Sequence, residues 1–334
     1  MENKNIVSTE KLNFKFQKLL VFFGILLFLI KIFAWYITQS VAIYSDALES
    51  IVNIISSFLG LYSLYLVTKP KDANHPYGHG KVEFISSGVE GILISIAGII
   101  ILIEAIQNLF QKTSVEQIDY GIFLVAFAAL INFILGFYAI KKGKKSHSLV
   151  LESTGKHLIT DTYSTLGIII GLILLYFTKL SWVDSGVAII FSGVILITGY
   201  KIIRNSISGI MDEADDKLIH ELIHFISDKR IPIWIDLHNL RIIKYGSKLH
   251  IDLHLTLPYY ITVNEAHHEM EMIDKLINSH FSDRVELFIH TDPCQEFSCK
   301  ICSIENCKVR KHIQEKTLEW NFENVSSNQK HRIE

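Results

Sequence analysis

The sequence has no cysteine before Cys294, and all four of its cysteines lie between Cys294 and Cys307. No disulfide can therefore join distant parts of the chain, which excludes disulfide scaffolding as the means of stabilising the fold. Such a local cluster is typical of metal or redox chemistry in a reducing compartment, so we expect this part of the chain to face the cytoplasm. The N-terminal stretch also carries acidic residues and runs into the first apolar segment with no small-residue cleavage site, so we predict no cleaved signal peptide.

Charged residues are scarce in long stretches of the first two thirds of the chain, and 49% of the 334 residues are hydrophobic. A helix that crosses a bilayer needs about 20 predominantly apolar residues. This composition excludes an ordinary soluble domain and predicts a multi-pass α-helical membrane protein whose partner is the lipid bilayer. Six segments meet the length requirement: about 17–37, 41–67, 84–110, 118–140, 152–177 and 182–203.

Positive charge predicts the orientation of these six transmembrane helices. Lysine and arginine are concentrated before the first span, between spans two and three, between spans four and five, and after span six. The opposite loops contain only Lys112 and Lys179. Because loops rich in Lys and Arg stay in the cytoplasm, we expect both termini there and the protein in the cell (inner) membrane.

Two pairs of possible metal ligands lie inside the apolar segments. His157 and Asp161 are four residues apart in span five, and Glu49 and Asn53 repeat this spacing in span two. Residues at i and i+4 lie on one face of a helix, and both pairs fall near the middle of their spans. They can therefore face each other and form a four-ligand site for a divalent metal, most simply Zn²⁺. Asp46 is an alternative to Asn53 if the helix rotates.

Two further polar residues in the spans are interpreted differently. Glu90 and Asn132 each stand alone in an apolar segment. We expect them to make hydrogen bonds between helices, which is the commoner role of isolated polar residues in membrane helices. The sequence therefore does not assign them to the metal site.

From about residue 209 the pattern becomes that of a soluble domain. Helical periodicity, two alternating strands, a second helix and a last strand give an α-β-β-α-β order, which predicts an α+β domain with helices on one face of a small sheet. Thr262 is the expected N-cap of the second helix, with Glu265 completing a capping box. The predicted domains are an N-terminal cytoplasmic segment, 1–16; the transmembrane domain, 17–208; the α+β domain, 209–293; a cysteine-rich tail, 294–315; and a polar, disordered tail, 316–334.

Four stretches together resemble the cation diffusion facilitator family, in order from about residue 17 to 293. They are SVAIYSDALESIVNIISS, PKDANHPYGHGKVE, ESTGKHLITDTYSTLGIIIG, and KLHIDLHLTL followed by FIHTDPC. The resemblance implies a homodimeric, proton-coupled exporter of divalent metal ions with a ferredoxin-like cytoplasmic domain. It also implies that Glu49, Asn53, His157 and Asp161 form the transport site. Family members usually have His or Asp, then Asp, where this chain has Glu49 and Asn53.

The resemblance further implies two peripheral metal sites. The first is in the loop after span two and consists of Asp72, His75 and His79; the alternative is that the segment from Gly78 to Lys81 only organises the loop. The second is at the dimer interface of the soluble domain. Its implied ligands are His238, His254, His267, His290 and Asp292. Strand alternation puts His250 on the same face as His254, and only the resemblance selects His254.

The cysteine spacing is Cys294-x4-Cys299-x2-Cys302-x4-Cys307, and it is not part of the family pattern. Four thiolates in so short a polar segment favour a tetrahedral zinc site over an iron–sulfur cluster, although the sequence leaves both open. Zn²⁺ is thus predicted both as the transported ion and as a structural ion, with Fe²⁺, Mn²⁺, Co²⁺, Ni²⁺ or Cd²⁺ as alternatives for transport.

The sequence therefore predicts a secondary active transporter, not an enzyme, that exports a divalent cation in exchange for protons and binds no nucleic acid. A passive cation channel, a metal sensor without transport and an Fe–S redox protein are the alternatives. A tight four-ligand site argues against the channel, because ions that bind strongly leave slowly.

Overall fold

The computed structural model describes residues 4–38, 41–108, 119–178, 181–282 and 284–333. The chain divides into two compact units, the membrane unit Glu2–Met211 and the C-terminal unit Asp212–Glu334. Each contains the elements that the sequence predicts for it, and each is described by itself below.

The membrane unit is built from long helices, and the described residues of each predicted span lie in one of them; residues 109, 110 and 118 of the predicted spans lie outside the described residues. They are α1 (Lys4–Thr38), α2 (Val41–Val67), α3 (Val82–Asn108), α4 (Asp119–Ser146), α5 (Leu149–Thr178) and α6 (Ser181–Ile210). Within the described ranges, three stretches are long and apolar enough to cross a membrane: Thr9–Tyr36, Val82–Gln107 and Ala126–Ser146. Helix α2 has a shorter apolar stretch, Asn53–Val67. The helical transmembrane architecture is thus confirmed.

The ends of this unit differ from the predicted boundaries. Residues 1–16 were expected to form a separate segment, but α1 already begins at Lys4. Its first turns pack against the bundle, since Lys142 Nζ donates to Leu12 O at 3.0 Å and Gln17 Nε2 donates to Ser57 O at 3.1 Å. At the other end, α6 continues to Ile210.

Small residues bring the helices of the bundle close together. A Cβ atom added to Gly155 of α5 would lie 2.7 Å from the backbone nitrogen of Ile140 in α4 and 2.8 Å from the carbonyl oxygen of Gly136. No side chain fits in that space, so glycine is required there for the close crossing of α4 and α5. Close approach at small residues is a common way to pack helices in a membrane, where apolar burial alone gives little driving force.

The C-terminal unit has the predicted α-β-β-α-β order. Its elements are α7 (Asp216–Asp228), β1 (Asp236–Tyr245), β2 (Lys248–Leu257), α8 (Val263–His280) and β3 (Val285–Pro293). The sheet has the order β1-β2-β3, with β1 antiparallel and β3 parallel to β2. Thr262 and Glu265 form the predicted capping box at the start of α8.

The two helices cover one face of the sheet and bury its core. The apolar faces of α7 and α8 pack with the inward-facing leucines and isoleucines of β2, including Ile251 and Leu255, which are 0% exposed. Alternation along β2 then places His250 and His254 on the opposite face. The sheet thus has one apolar face for the core and one face that carries histidines.

After β3 the structure describes residues through 333, and those from 316 onward pack against the C-terminal unit, whereas the sequence predicted disorder for 316–334. A 3₁₀ helix spans Glu296–Lys300, and a short helix, α9, spans Phe322–Val325. Trp320 and Val325 are buried in the core of the C-terminal unit, and the guanidinium of Arg230 lies 4.1 Å from the centre of the Trp320 ring. The segment is polar on average, but these few apolar side chains are enough to hold it against α7 and β1.

Candidate metal sites

The first candidate site lies inside the membrane unit, where α2 and α5 meet. Asn53 of α2 contacts both predicted ligands of α5: its Oδ1 lies 2.6 Å from His157 Nε2, and its Nδ2 donates to Asp161 Oδ2. His157 Nε2 and Asp161 Oδ1 are 3.6 Å apart. Both residues of α5 are buried, at 6% and 5% exposure. The structure therefore brings together three of the four residues predicted for this site.

The fourth predicted residue, Glu49, belongs to α2, but its side chain lies outside the described residues, as does that of Asp46. The spacing of Glu49 and Asn53 nevertheless places their Cα atoms one turn apart on the same helix face. Of the four predicted ligands, the structure therefore describes the side chains of Asn53, His157 and Asp161.

A small cavity adjoins these three residues. Its polar wall is formed by Asn53, His157, Thr160 and Asp161, and its apolar wall by Leu93, Ile94, Ala97 and Ile195. The polar lining residues therefore all belong to α2 and α5. The lining residues that face them are apolar. This arrangement suits a small cation bound against α2 and α5, with α3 and α6 closing the site.

Glu90 of α3 is a neighbour of the site that the sequence did not assign to it. Its Oε1 faces His157 Nδ1 at 3.6 Å, while Ser153 donates to its other carboxylate oxygen. Among the described residues neither Oε1 of Glu90 nor Nδ1 of His157 has a hydrogen-bond partner. The predicted hydrogen bond between helices is present, but the carboxylate also faces the imidazole. The only sequence signal was an isolated acid in an apolar helix, which does not reveal the helix that it faces.

The second candidate site is the loop between α2 and α3. His75 Nδ1 lies 3.0 Å from Asp72 Oδ1, His79 Nε2 lies 3.4 Å from Asp72 Oδ2, and potential ligand atoms of all three residues fit within 4.8 Å of one another. Gly78 has φ +92°, so glycine is favoured at this turn. Hydrogen bonds from the backbone N–H of His75 and then from its side chain hold the pKa of Asp72 below its usual value. The geometry of the loop therefore fits both alternatives, a metal site and a segment that only organises the turn.

The third candidate site lies on the histidine face of the sheet. Strand register places His238 opposite His254 and His254 opposite His290. His254 Nδ1 is 3.1 Å and His238 Nε2 is 3.3 Å from Asp292 Oδ2, and these three residues form a group within 4.8 Å. His290 Nδ1 is 3.7 Å from the same oxygen. Four of the five predicted residues therefore meet within one chain.

The remaining histidines are placed elsewhere. His267 is an exposed residue of α8 whose contact is Glu271, at 3.6 Å. His250, which shares the face of His254, lies 3.5 Å from Glu286 and packs against the Tyr245 ring. The single chain thus groups His254, and not His250, with Asp292.

The protonation of the sheet cluster suits metal binding. Burial lowers the pKa of His238, and the carboxylates of Asp236 and Asp292 only partly offset this effect. A neutral imidazole is the form that ligates a metal. Burial alone would raise the pKa of Asp292, but the hydrogen bond from His254 and the nearby ammonium of Lys330 hold it below its usual value. Near neutral pH we therefore expect a neutral His238 beside a charged Asp292.

The ordered tail supplies two contacts to this cluster that the sequence did not predict. Lys330 Nζ lies 3.2 Å from Asp292 Oδ1, and His331 Nδ1 lies 2.5 Å from Asp236 Oδ1. Burial opposes the charged form of His331, but its hydrogen bond to Asp236 and the charge of that carboxylate raise its pKa. A segment expected to be disordered thus places one lysine and one histidine next to possible metal ligands.

The four cysteines line one cavity of the C-terminal unit, and none forms a disulfide. Desolvation by burial, followed by the mutual repulsion of the thiolates, raises the pKa of Cys294; burial also raises that of Cys302. Without a cation these two thiols are therefore predominantly protonated near neutral pH.

Comparison with known proteins supports the family resemblance along most of the chain. Residues 18–211 match the cation efflux transmembrane domain, and residues 214–294 match the cytoplasmic domain of cation efflux proteins. The chain therefore belongs to the cation diffusion facilitator family. It is a membrane-embedded cation efflux transporter, and not an enzyme in the ordinary sense.

Three relatives illustrate the likeness. An uncharacterized transporter of Synechocystis sp. is 30% identical over 270 residues, which cover 80% of this chain and 86% of the relative. The manganese efflux system protein MneP of Bacillus subtilis is 30% identical over 278 residues, covering 79% and 90%. The cation-efflux pump FieF of Salmonella arizonae is 27% identical over 273 residues, covering 80% and 88%.

Proposed function

We propose that this protein exports a divalent first-row metal ion from the cytoplasm in exchange for protons, and that the ion binds between α2 and α5. The main observation in support of this proposal is that the amide of Asn53 in α2 contacts both His157 and Asp161 in α5. A carboxylate and an imidazole inside a membrane are costly, so by default such residues mark an ion path. Their meeting in a membrane-embedded efflux protein supports a transport site.

The ligand-free contacts indicate how the ion would bind. Asn53 donates its amide N–H to Asp161 and presents its amide oxygen to His157 Nε2, so in this arrangement Nε2 carries the proton of that hydrogen bond. A metal ion binds only an unprotonated nitrogen, so a neutral His157 must hold its single proton on Nδ1, which faces Glu90, whereas a doubly protonated His157 must release the proton of Nε2. The amide oxygen and one oxygen of Asp161 would then complete the site together with Glu49.

This requirement couples metal to protons. When the site opens to the cytoplasm with His157 doubly protonated, metal binding at Nε2 releases one proton and leaves the other on Nδ1. When the helices rock and open the site to a more acidic exterior, a proton returns to the imidazole and the metal leaves. Each ion exported thus returns at least one proton, which is the antiport predicted from the sequence.

Zn²⁺ is the metal that we propose first, because an imidazole ligand suits Zn²⁺ better than an all-oxygen set would. Mn²⁺ is the second candidate, and two observations favour it. Asn53 offers a neutral oxygen ligand of the kind that harder cations accept, and a relative with 30% identity is a manganese efflux protein.

We further propose that the protein is a homodimer in the cell (inner) membrane with both termini in the cytoplasm. The match of residues 214–294 to a cytoplasmic efflux-protein domain supports this orientation, and so does the concentration of basic residues in one set of loops. The loop site and the sheet site are proposed as peripheral metal sites on the cytoplasmic side. His267, which does not meet the sheet cluster within one chain, is available to contribute from a partner subunit.

The test is metal uptake into proteoliposomes under a controlled pH gradient, measured one metal at a time. We expect Zn²⁺ transport that requires the proton gradient and is lost in the double variant His157→Ala, Asp161→Ala. The matched control is His224→Ala, which removes an exposed histidine of α7. Intact transport in the double variant would refute the proposed site, and flux without a proton gradient would favour a channel. Binding without flux would indicate a sensor.

A further inference from the structure

The tail after β3 contains a group of side chains that transport does not explain. The match to the cytoplasmic efflux domain ends at residue 294, so Cys299, Cys302 and Cys307 lie beyond it. They nevertheless line one cavity together with Cys294, which follows the end of β3. The cavity is therefore lined by one cysteine that follows β3, one in the 3₁₀ helix and two in the loop after it.

Hydrogen-bond donors lie close to three of the sulfur atoms and would partly offset the cost of forming thiolates when a cation binds. The backbone N–H of Tyr259 donates to Cys294 Sγ at 3.4 Å, and that of Lys311 donates to Cys299 Sγ at 3.5 Å. The guanidinium of Arg310 lies 3.9 Å from Cys302 Sγ. Amide and guanidinium donors stabilise negative charge on sulfur, and the thiolate is the form that ligates a metal. Donors of this kind are not needed by inert buried thiols.

The first part of the tail, residues 301–317, has few contacts that hold its shape. It contains neither helix nor strand. Its apolar contacts are a small cluster in which Ile301 and Cys302 pack against Ile235. Its main polar contacts come from Arg310, which donates to the carbonyl oxygens of Cys299, Cys302 and Ile304. Short segments with so small a core commonly depend on a disulfide or a metal ion, and here the cysteines form no disulfide.

We propose that Cys294, Cys299, Cys302 and Cys307 bind one Zn²⁺ ion as a tetrahedral thiolate site, and that this ion fixes the tail onto the C-terminal unit. The four sulfurs do not form a group in which the ligand atoms of three or more residues all lie within 4.8 Å of one another. A tetrahedral site with Zn–S bonds of about 2.3 Å brings sulfurs to roughly 3.8 Å. Zinc binding therefore contracts the loop around the cavity. The absence of strand pairing in this loop leaves it able to do so.

The decisive experiment replaces zinc by Co²⁺ in the full-length protein, purified in detergent, reduced and stripped of metal. Cobalt bound by four thiolates gives intense visible bands and a near-ultraviolet sulfur-to-cobalt charge-transfer band, which sites made of histidine and carboxylate do not give. We expect this spectrum to saturate at one thiolate-bound ion per chain and to disappear when Zn²⁺ is added. Cys299→Ser and Cys307→Ser should each weaken cobalt binding at this site at least tenfold.

Two controls separate this site from the others. Ser303→Ala changes the same loop without removing a thiol and should keep the spectrum, and so should His157→Ala, which disables the proposed transport site. Cobalt binding without the charge-transfer band would overturn the proposal. So would an iron–sulfur absorption in the purified protein, or disulfides among the four cysteines under reducing conditions.

Proteolysis of the wild-type chain tests the structural role without any variant. Trypsin sites at Lys308, Arg310 and Lys311 lie within the loop. We expect cleavage there to be at least fivefold slower with Zn²⁺ bound than after chelation. Equal cleavage rates with and without Zn²⁺ would contradict the proposal that the ion fixes the tail onto the C-terminal unit.

Discussion

The site in the helix bundle and the cluster on the sheet use the same ligand types, but their carboxylates are satisfied differently. In the bundle, Asp161 accepts a hydrogen bond from the neutral amide of Asn53. On the sheet, Asp292 faces the charged ammonium of Lys330 at 3.2 Å. A neutral partner can itself ligate an incoming cation, whereas an ammonium has no acceptor and repels it. We therefore expect the proposed bundle site to favour binding and release, and the tail to oppose metal binding at the proposed sheet site.

The largest effect on transport is expected from replacing Asn53, the neutral partner of Asp161. Asn53→Leu deletes an amide ligand and removes one donor to Asp161, so we expect transport to fall about 100-fold or more, at the upper end of effects seen on removing groups that orient metal ligands. Proteoliposome uptake measures it. Asn132→Leu makes the same change at another buried asparagine of the bundle, 5% exposed, and should leave most activity. Similar losses in both would show that packing, not ligation, is responsible.

A smaller effect is expected from the carboxylate behind His157. Glu90→Gln removes the charge that faces Nδ1, and because partners of this kind orient a ligating histidine, we expect metal affinity to fall about 10-fold to 100-fold. The measurement is the KM for Zn²⁺ in uptake assays, with kcat followed separately.

Glu83→Gln is the matched control for Glu90→Gln. This carboxylate lies on the same helix but accepts hydrogen bonds from Ser148 Oγ at 2.7 Å and Val150 N at 3.2 Å, away from His157. We expect it to change thermal stability and not the KM. An unchanged KM in Glu90→Gln would exclude a positioning role for Glu90.

On the sheet, Lys330→Ala should strengthen metal binding several-fold, because it removes a cation that competes at Asp292, and the gain should shrink at high salt. Isothermal titration of the full chain carrying His157→Ala measures it without the transport site. Lys330→Arg keeps the charge and should bind as the parent does. Weaker binding in Lys330→Ala would mean that the lysine supports the site.

The smallest effect concerns His331 and depends on pH. Its pKa is raised in the folded chain, so its pairing with Asp236 stabilises the C-terminal unit fully below the usual histidine pKa of about 6.5. This stabilisation is lost as the pH rises through the raised value. We expect His331→Gln to cost on the order of 1–2 kcal/mol at pH 5.5. The cost should be less at pH 8.5, as measured by thermal unfolding. A cost that does not change with pH would exclude charge pairing.

The sequence correctly predicted the features that leave a periodic pattern along the chain. Long apolar runs located the helices of the membrane unit, and i, i+4 spacing put His157 and Asp161 on one helix face. Alternation and capping signals gave the α-β-β-α-β order with its capping box at Thr262. These properties are local, because each depends on residues within one or two turns of the same element.

What the sequence could not predict depends on contacts between distant segments. The approach of Glu90 to His157 depends on the rotation of α3 about its axis, and a single acid in an apolar run does not report that rotation. The tail was expected to be disordered because its average composition is polar, but burial of Trp320 and Val325 orders it.

The sequence by itself therefore determined the class of protein, the helices and strands, and the identity of most candidate ligands. Only the tertiary structure decided that Asn53 joins both ligands of α5, that His254 rather than His250 meets Asp292, and that Lys330 and His331 reach the sheet cluster. Ligand spacing within one element is set by backbone geometry, but the partner across the interface is set by packing. That packing also brought the four cysteines to one cavity.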